Sequence, residues 1–365
     1  MEVAIIGAGP AGSTLAALLA ARGVAVTLFD RDAFPRDKLC GEFLSYDALP
    51  VVESLGVSLE GAPRITHCRV VGARTYEFDF PHEARGISRL LFDDLLLRTA
   101  IARGALFRTS TVSELPAAKV VVGAWGRWGR FDQQLHRSFV DVKDRNFGFK
   151  RHYRPTANRQ LPTANQSIDL YAFHRGYLGV NAVEGGIVNI CGLVHASRLA
   201  GHKGRWDAFV ETLRAEEPRL ESLYAAHEPA QEHFLSSEPV IFRARSAVEG
   251  GVFMIGDASG VIDPLTGNGM AMAVQSALLA APLLLRLVRD PSSRAEIERE
   301  YRERHRAFFA PRIRWSRAVA ALLSRPRLLD LALRTTRSAR IGETLLRRTR
   351  ASREDVLRMM DAWAG

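Results

Sequence analysis

Two glycine-rich segments separated by most of the chain, GAGPAG at 7–12 and GDASGVIDPLTGNGM at 256–270, constrain the fold more than any other feature. The first is preceded by Val3 to Ile6, an apolar run that stops at glycine, and is followed by the small-residue helical pattern Ala11 to Ala21. That order reads as strand, tight turn and helix. Gly7 permits the turn, Gly9 lets the backbone approach a pyrophosphate, and Gly12 lets the helix pack on the strand with its N-terminus facing the phosphates. A second strand, Val24 to Phe29, ends in Asp30, whose carboxylate is suited to accept ribose hydroxyls and disfavours a 2′-phosphate.

The second segment follows another buried-strand pattern, Val252 to Ile255. Asp257 is suited to accept from a ribityl or ribose hydroxyl. Pro264, Gly267 and Gly269 shape a turn into a helix expected over Met270 to Leu287. The free amides at that N-terminus can face the pyrimidine edge of a flavin and stabilise negative charge on it.

In this order the motifs resemble those of FAD-dependent oxidoreductases of the p-hydroxybenzoate hydroxylase superfamily, especially the branch of geranylgeranyl reductase-like proteins and flavin-dependent halogenases. Phe34 to Ser45, FPRDKLCGEFLS, is similar to that branch's segment after the second strand. Ser88 to Leu97, SRLLFDDLLL, carries Arg89 where the family has an arginine that reaches the cofactor. Val120 to Arg130, VVVGAWGRWGR, stands where the family has an Asp-Gly motif. The resemblance covers residues 1 to about 285 and implies non-covalent FAD. The residues it assigns to the cofactor are Gly7, Gly9, Pro10, Ala11, Gly12, Asp30, Arg31, Lys38, Cys40, Gly41, Arg89, Gly256, Asp257, Pro264, Gly267, Asn268, Gly269 and Met270.

Two departures bear on the electron donor. Trp125 replaces the usual Asp, and only Phe107 to Lys119 stand where the family inserts a three-stranded meander. Both weaken the expectation of standard NADPH docking, so the expected electron source is NADH in another pose, NADPH, or a separate flavin reductase.

The expected architecture is α/β: a Rossmann-like FAD domain from 1–60, 86–140 and 240–287, an antiparallel substrate sheet from 61–85 and 141–239, and a basic helical region over 288–365. Residues 205–225 read as a helix on the substrate domain, and Gly185-Gly186 as a turn between its strands. The three cysteines, Cys40, Cys68 and Cys191, form no pattern, which points to a reducing, cytoplasmic setting. The N-terminal apolar run lacks a basic leader and is already the nucleotide-binding strand. Residues 271–288 come closest to a membrane span but carry Gln275, Ser276 and Arg286. Scattered histidines give no metal-ligand spacing.

Charge is concentrated at one end. Residues 286–365 hold 20 Arg, no Lys and 10 Asp plus Glu, so the whole formal excess of +10 lies there. Trp315, Val319, Leu322, Leu323, Leu328, Leu329 and Leu331 alternate with arginines as two amphipathic helices broken near Pro326. They read either as a cover for the core with arginines in water, or as a peripheral contact with an anionic membrane or acidic carrier. Nucleic acid is not expected, since no recognition fold accompanies the charge.

The chemistry is less legible. The lysine and WxWxIP motif of halogenases are absent, and HRGYLGVNAVEGGIVNICGL, 174–193, departs from the corresponding strand of prenyl reductases. Elimination leaves a monooxygenase acting on a lipophilic aromatic or polyketide-like small molecule, with C=C reduction in a prenyl or lipid chain as the alternative. A non-enzymatic flavin-binding role would leave the substrate sheet without purpose. His152, His174 and Tyr177 are the polar groups that could orient or deprotonate a phenol, although each is also suited to a structural role. Cys40 reads as packing or polarity beside the flavin before any redox part.

Overall fold

The computed structural model describes residues 1–71, 75–142, 146–156, 166–202, 204–323, 325 and 338–364. Among these, a six-stranded sheet runs in the order Val248–Glu249, Val252–Met254, Val120–Gly123, Val3–Ile6, Val26–Asp30, Leu106–Thr109. All its pairings are parallel except that of the short edge strand Val248–Glu249. Val3–Ile6 is buried throughout, as a parallel strand covered on both faces must be. The helices Pro10–Ala21, Arg89–Ala102 and Gly269–Arg289 pack together beside this sheet. Gly269–Arg289 is long and apolar enough to cross a membrane, yet its most apolar window is 83% buried inside the protein, as befits a core helix. Where a meander was missed in the sequence, the single strand Leu106–Thr109 and a loop lead back to Val120–Gly123.

The second sheet has nine strands among the described residues and centres on Asn146–Pro155, Ile187–His195, Gly176–Val183, Ser167–Phe173, Arg64–Val71 and Thr75–Gly86. Its neighbours are antiparallel except Arg64–Val71 with Ser167–Phe173. Phe43–Leu44, from a segment expected to belong to the first domain, forms its far edge. Gly185 and Gly186, at φ 67° and 69°, turn the chain between two central strands.

Register sorts this sheet into two faces, because residues directly opposite on neighbouring strands point the same way. Phe149, Leu178, Val180, Val188, Ile190 and Val194 face the helices Trp206–Glu216 and Pro218–Ala225, which Pro218 separates where one continuous helix was expected. The other face carries Lys150 and His152 at one end and Leu193, Tyr177, Leu170, Ala172, Val70 and Cys68 at the other. Its apolar end packs with Val261 and Leu265 of the second glycine segment and with Val319 and Leu322 of the long helix Arg294–Leu323. The helices Ser338–Thr349 and Arg353–Ala364 complete the C-terminal layer. Leu328, Leu329, Leu331 and the break at Pro326 lie outside the described residues, as does the side chain of Leu323.

Candidate cofactor cleft and active site

The first glycine turn is shaped by the space its side chains leave empty. Gly7 sits at φ 111°, and a Cβ there would lie 2.2 Å from the Ala124 carbonyl oxygen. A Cβ on Gly12 would lie 1.9 Å from the Gly7 oxygen, so helix and strand meet only because both are glycine. Gly9 differs: its Cβ position is open, with only the Arg89 Nη2 at 3.7 Å. Pro10 is the first helical residue, and Ala11 touches Gly256, whose added Cβ would stand 2.9 Å from Ala11 Cβ. The two glycine segments therefore adjoin.

Asp30 ends its strand with Oδ2 accepting from the Ala8 amide at 2.8 Å and from Arg36 at 2.9 Å. Arg36, which the motifs did not single out, also reaches Asp93 at 3.4 Å and stacks on Phe34. Arg89 holds Asp93 in a two-point pair of 2.6 and 2.7 Å. Arg31 and Lys38 both pair with Asp32, and Arg31 is largely exposed, so neither gathers with Arg89. Gly41 has nothing within 4 Å of its Cβ position.

In the second segment Gly256, at φ 59°, donates its amide to Ser276 Oγ at 2.8 Å. The Asp257 carboxylate makes no hydrogen bond or ion pair among the described residues. Burial raises its pKa, while Arg127, Arg245 and Arg89 pull the other way. Arg245 gives one nitrogen to the carbonyls of Arg127 and Asp257 and keeps Nε and Nη2 buried without partners. Pro264 opens a short turn closed by Gly267 at φ 62°, and Asn268 precedes the helix that begins at Gly269. Met270 is buried at the helix start, and a Cβ on Gly269 would meet nothing within 4 Å. An orphaned carboxylate, orphaned guanidinium nitrogens, the Asn268 Oδ1 left unpaired and open faces at Gly9, Gly41 and Gly269 together fit a dinucleotide flavin.

Trp125, in the family's Asp position, folds its indole against Gly123 and Gly129 and donates to Asp132 Oδ1 at 3.1 Å. Asp132 is committed as well to Arg137 and the Gly129 amide.

Where the cleft meets the second sheet, Lys150 is fully buried and lies 2.6 Å from both Asp37 and Glu42. Burial opposes its charge, but the two carboxylates outweigh that and raise its pKa. Glu42 also receives His152 Nε2 at 2.6 Å and the Arg89 amide at 2.8 Å. Asn189 and Asn181 donate to the carbonyls of Cys40 and Glu42. His152 is thus brought to the cleft with Cys40 and Gly41. Tyr177 is buried with its hydroxyl on Asp263 Oδ1 at 2.9 Å, tethering the sheet to the second glycine segment. His174 sits exposed in a turn between strands, apart from the other two. Burial raises the Cys40 pKa and pushes Cys191 and Cys68 up to about 12, so all three remain thiols at neutral pH.

Sequence reasoning missed Arg36, Glu42, Lys150, Asp263, Arg245 and the buried arginines Arg312 and Arg350. Lys150 and His152 alternate with Phe149 and Tyr153, so the pattern places them on one face. That this face is also covered depends on residues over a hundred positions away.

Residues 1–88 match the family model described as an FAD binding domain. The chain is 29% identical over 324 residues to a menaquinone reductase of Mycobacterium tuberculosis strain H37Rv, covering 78% of this chain and 76% of the relative. It is 24% identical over 357 residues to a tryptophan 2-halogenase of Chondromyces crocatus, covering 88% and 67%. A geranylgeranyl bacteriochlorophyll reductase-like protein from Thermoplasma acidophilum superimposes with a TM-score of 0.77 at 18% identity, covering 98% of this chain and 95% of that one.

Proposed function

We propose that this FAD-dependent oxidoreductase is a monooxygenase that hydroxylates a lipophilic aromatic or polyketide-like small molecule. The observation that carries the reading is the carboxylate-backed imidazole, His152 on Glu42, at the polar end of a sheet surface that is otherwise apolar. Hydroxylation of a phenol calls for both, an apolar bed for the ring and a base that draws off its proton. Glu42 orients the imidazole through its 2.6 Å contact with Nε2, as a carboxylate partner does in a catalytic triad.

The backbone of 7–12, Asp30, Asp257 and the amides that open the helix Gly269–Arg289 would hold FAD. When bound and reduced it supplies two electrons to O2, so that one oxygen atom enters the ring and the other leaves as water. With Trp125 turned inward onto Asp132, NADPH alone reduces the protein slowly, and a reductase or bound substrate assists; stopped-flow absorbance reads this directly.

The second reading, reduction of a C=C bond in a prenyl or lipid chain, draws on the likeness to a menaquinone reductase and on the same apolar surface. Labelled O2 separates the two. A labelled hydroxyl in the product, lost with His152→Asn while FAD stays bound, supports the hydroxylase. A product two hydrogens heavier that forms better without oxygen replaces it with the reductase.

A lipophilic substrate also gives a use to the exposed Arg314, Trp315, Arg317 and Arg348, the last stacked over Trp315, as a loose contact with anionic bilayers. Co-sedimentation with anionic but not neutral vesicles at low salt tests it.

A further inference from the structure

The basic C-terminal region was expected to keep its arginines in water or on a partner. Two of them are instead buried against the second glycine segment. Arg350 donates to the Thr266 carbonyl and Ser45 Oγ at 3.0 Å and to Thr349 Oγ1 at 3.4 Å, and Phe43, Tyr46 and Phe80 surround it with ring centroids 5.4 to 5.9 Å away. None of its hydrogen-bond partners is a carboxylate. Arg312 donates to Gln275 Oε1 at 2.8 Å and the Thr349 carbonyl at 3.3 Å, and approaches Asp47 Oδ2 only at 3.5 Å. Asp47 shares that oxygen with Gln275 and the Ala351 amide. Asn268 reaches the same Thr349 carbonyl at 2.5 Å.

Two buried guanidinium groups therefore stand behind Thr266 to Asn268, with the buried Asp47 carboxylate beside them. Burial lowers both arginines, Arg312 to about 10, and that still leaves each charged at neutral pH. Packing alone does not call for this, because buried charges are costly and apolar residues fill such space at least as well. The turn they brace opens the helix Gly269–Arg289, whose N-terminal amides already carry partial positive charge.

We infer that Arg350 and Arg312 are positioning residues that place buried positive charge behind this turn, so that the flavin held in front of it is bound more tightly in its reduced, anionic form. The inference rests on the FAD reading above. Reduction adds two electrons and one proton, which leaves one negative charge on the isoalloxazine. A cation in a low-dielectric setting stabilises that charge without touching it.

The test is the two-electron midpoint potential of FAD bound to the full chain, read by dye equilibration, with FAD content and thermal stability measured alongside. Arg350→Met should lower the potential by about 30 mV or more, a tenfold or greater loss of preference for reduced flavin. Arg350→Lys should restore most of it. Asp47→Asn should move it the opposite way, since it removes the carboxylate that approaches Arg312 and acts most strongly on both guanidinium groups. Opposite signs are not what a purely structural role yields, because both changes would then only loosen the fold. Unchanged potentials in variants that hold FAD overturn the inference and leave the cofactor reading intact. A wild-type chain that holds no FAD overturns both. If Arg350→Met fails to fold, Asp47→Asn decides by itself: a raised potential supports the inference, and an unchanged or lowered one overturns it.

Discussion

The glycine turn at 7–12 and the seam between the two sheets are built by opposite means. The turn works by omission: Gly7 and Gly12 are pressed against backbone, and hydrogen bonds such as Gly7 N–H to the Phe29 carbonyl hold it. The seam works by charge, with Lys150 between Asp37 and Glu42, Tyr177 on Asp263, and Arg350 on the Thr266 carbonyl. At Gly7 and Gly12 such a turn tolerates no added atom, because backbone fills the space. A seam made of buried polar groups tolerates changes of shape but not the loss of one member of a pair.

The largest effect should follow from breaking the seam. Lys150→Met leaves Glu42 and Asp37 buried without their cation and is expected to cost about 3–5 kcal/mol in urea unfolding. The double variant Glu42→Gln/Lys150→Met should recover part of that loss. A single variant within 1 kcal/mol of wild type, on the order of a surface pair, would mean that the seam is wet.

Acid comes next. His305 is buried between Tyr301 and Phe309 on the helix behind the second glycine segment, and burial lowers its pKa to about 4. The unfolded chain takes up that proton near pH 6.5 and the folded protein only near 4. The neutral histidine's contribution is therefore complete above 6.5 and is lost as pH falls from 6.5 towards 4, a change of about 3 kcal/mol. His305→Leu should flatten this part of the stability profile. A slope equal to that of wild type would rule His305 out as its source.

Within the turn, Gly12 and Gly9 separate packing from binding. Gly12→Ala drives a Cβ into the Gly7 carbonyl and should cost about 1–3 kcal/mol along with FAD retention. Gly9→Ala meets only the tip of Arg89, so stability should stay within about 0.5 kcal/mol while FAD retention falls. Full FAD content in Gly9→Ala would place the pyrophosphate elsewhere. Tyr177→Phe is of similar size, about 1–2 kcal/mol, because Asp263 keeps its bond from the Leu265 amide. Unaltered product formation in that variant would confine Tyr177 to tethering.

Much of the turn was legible because everything it needs is local. Gly7, Gly9, Gly12 and Asp30 fall within one strand–helix–strand unit, and steric exclusion can be read from residue type alone. An antiparallel second sheet was likewise legible, with Gly185-Gly186 as a turn between its strands. The seam was not legible to the same degree. Glu42 stands inside the KLCGE segment, yet its role arises from Lys150 and His152 on a strand more than a hundred residues later. His152, His174 and Tyr177 had equal standing as candidates, and their environments separated them: one on a buried carboxylate, one in solvent, one tied to a loop. The arginine-rich end was read as two amphipathic helices with their arginines in water or on a partner, but helix packing divided the arginines, with Arg312 and Arg350 inside and Arg314, Arg317 and Arg348 outside.

By itself, then, the chain determined the glycine turns and an FAD-binding fold, because glycine sterics and apolar periodicity act over a few residues. Which polar side chains share a dry space was decided only by the tertiary structure. Desolvation and charge pairing depend on neighbours brought together across hundreds of positions, and no local pattern of residues encodes them.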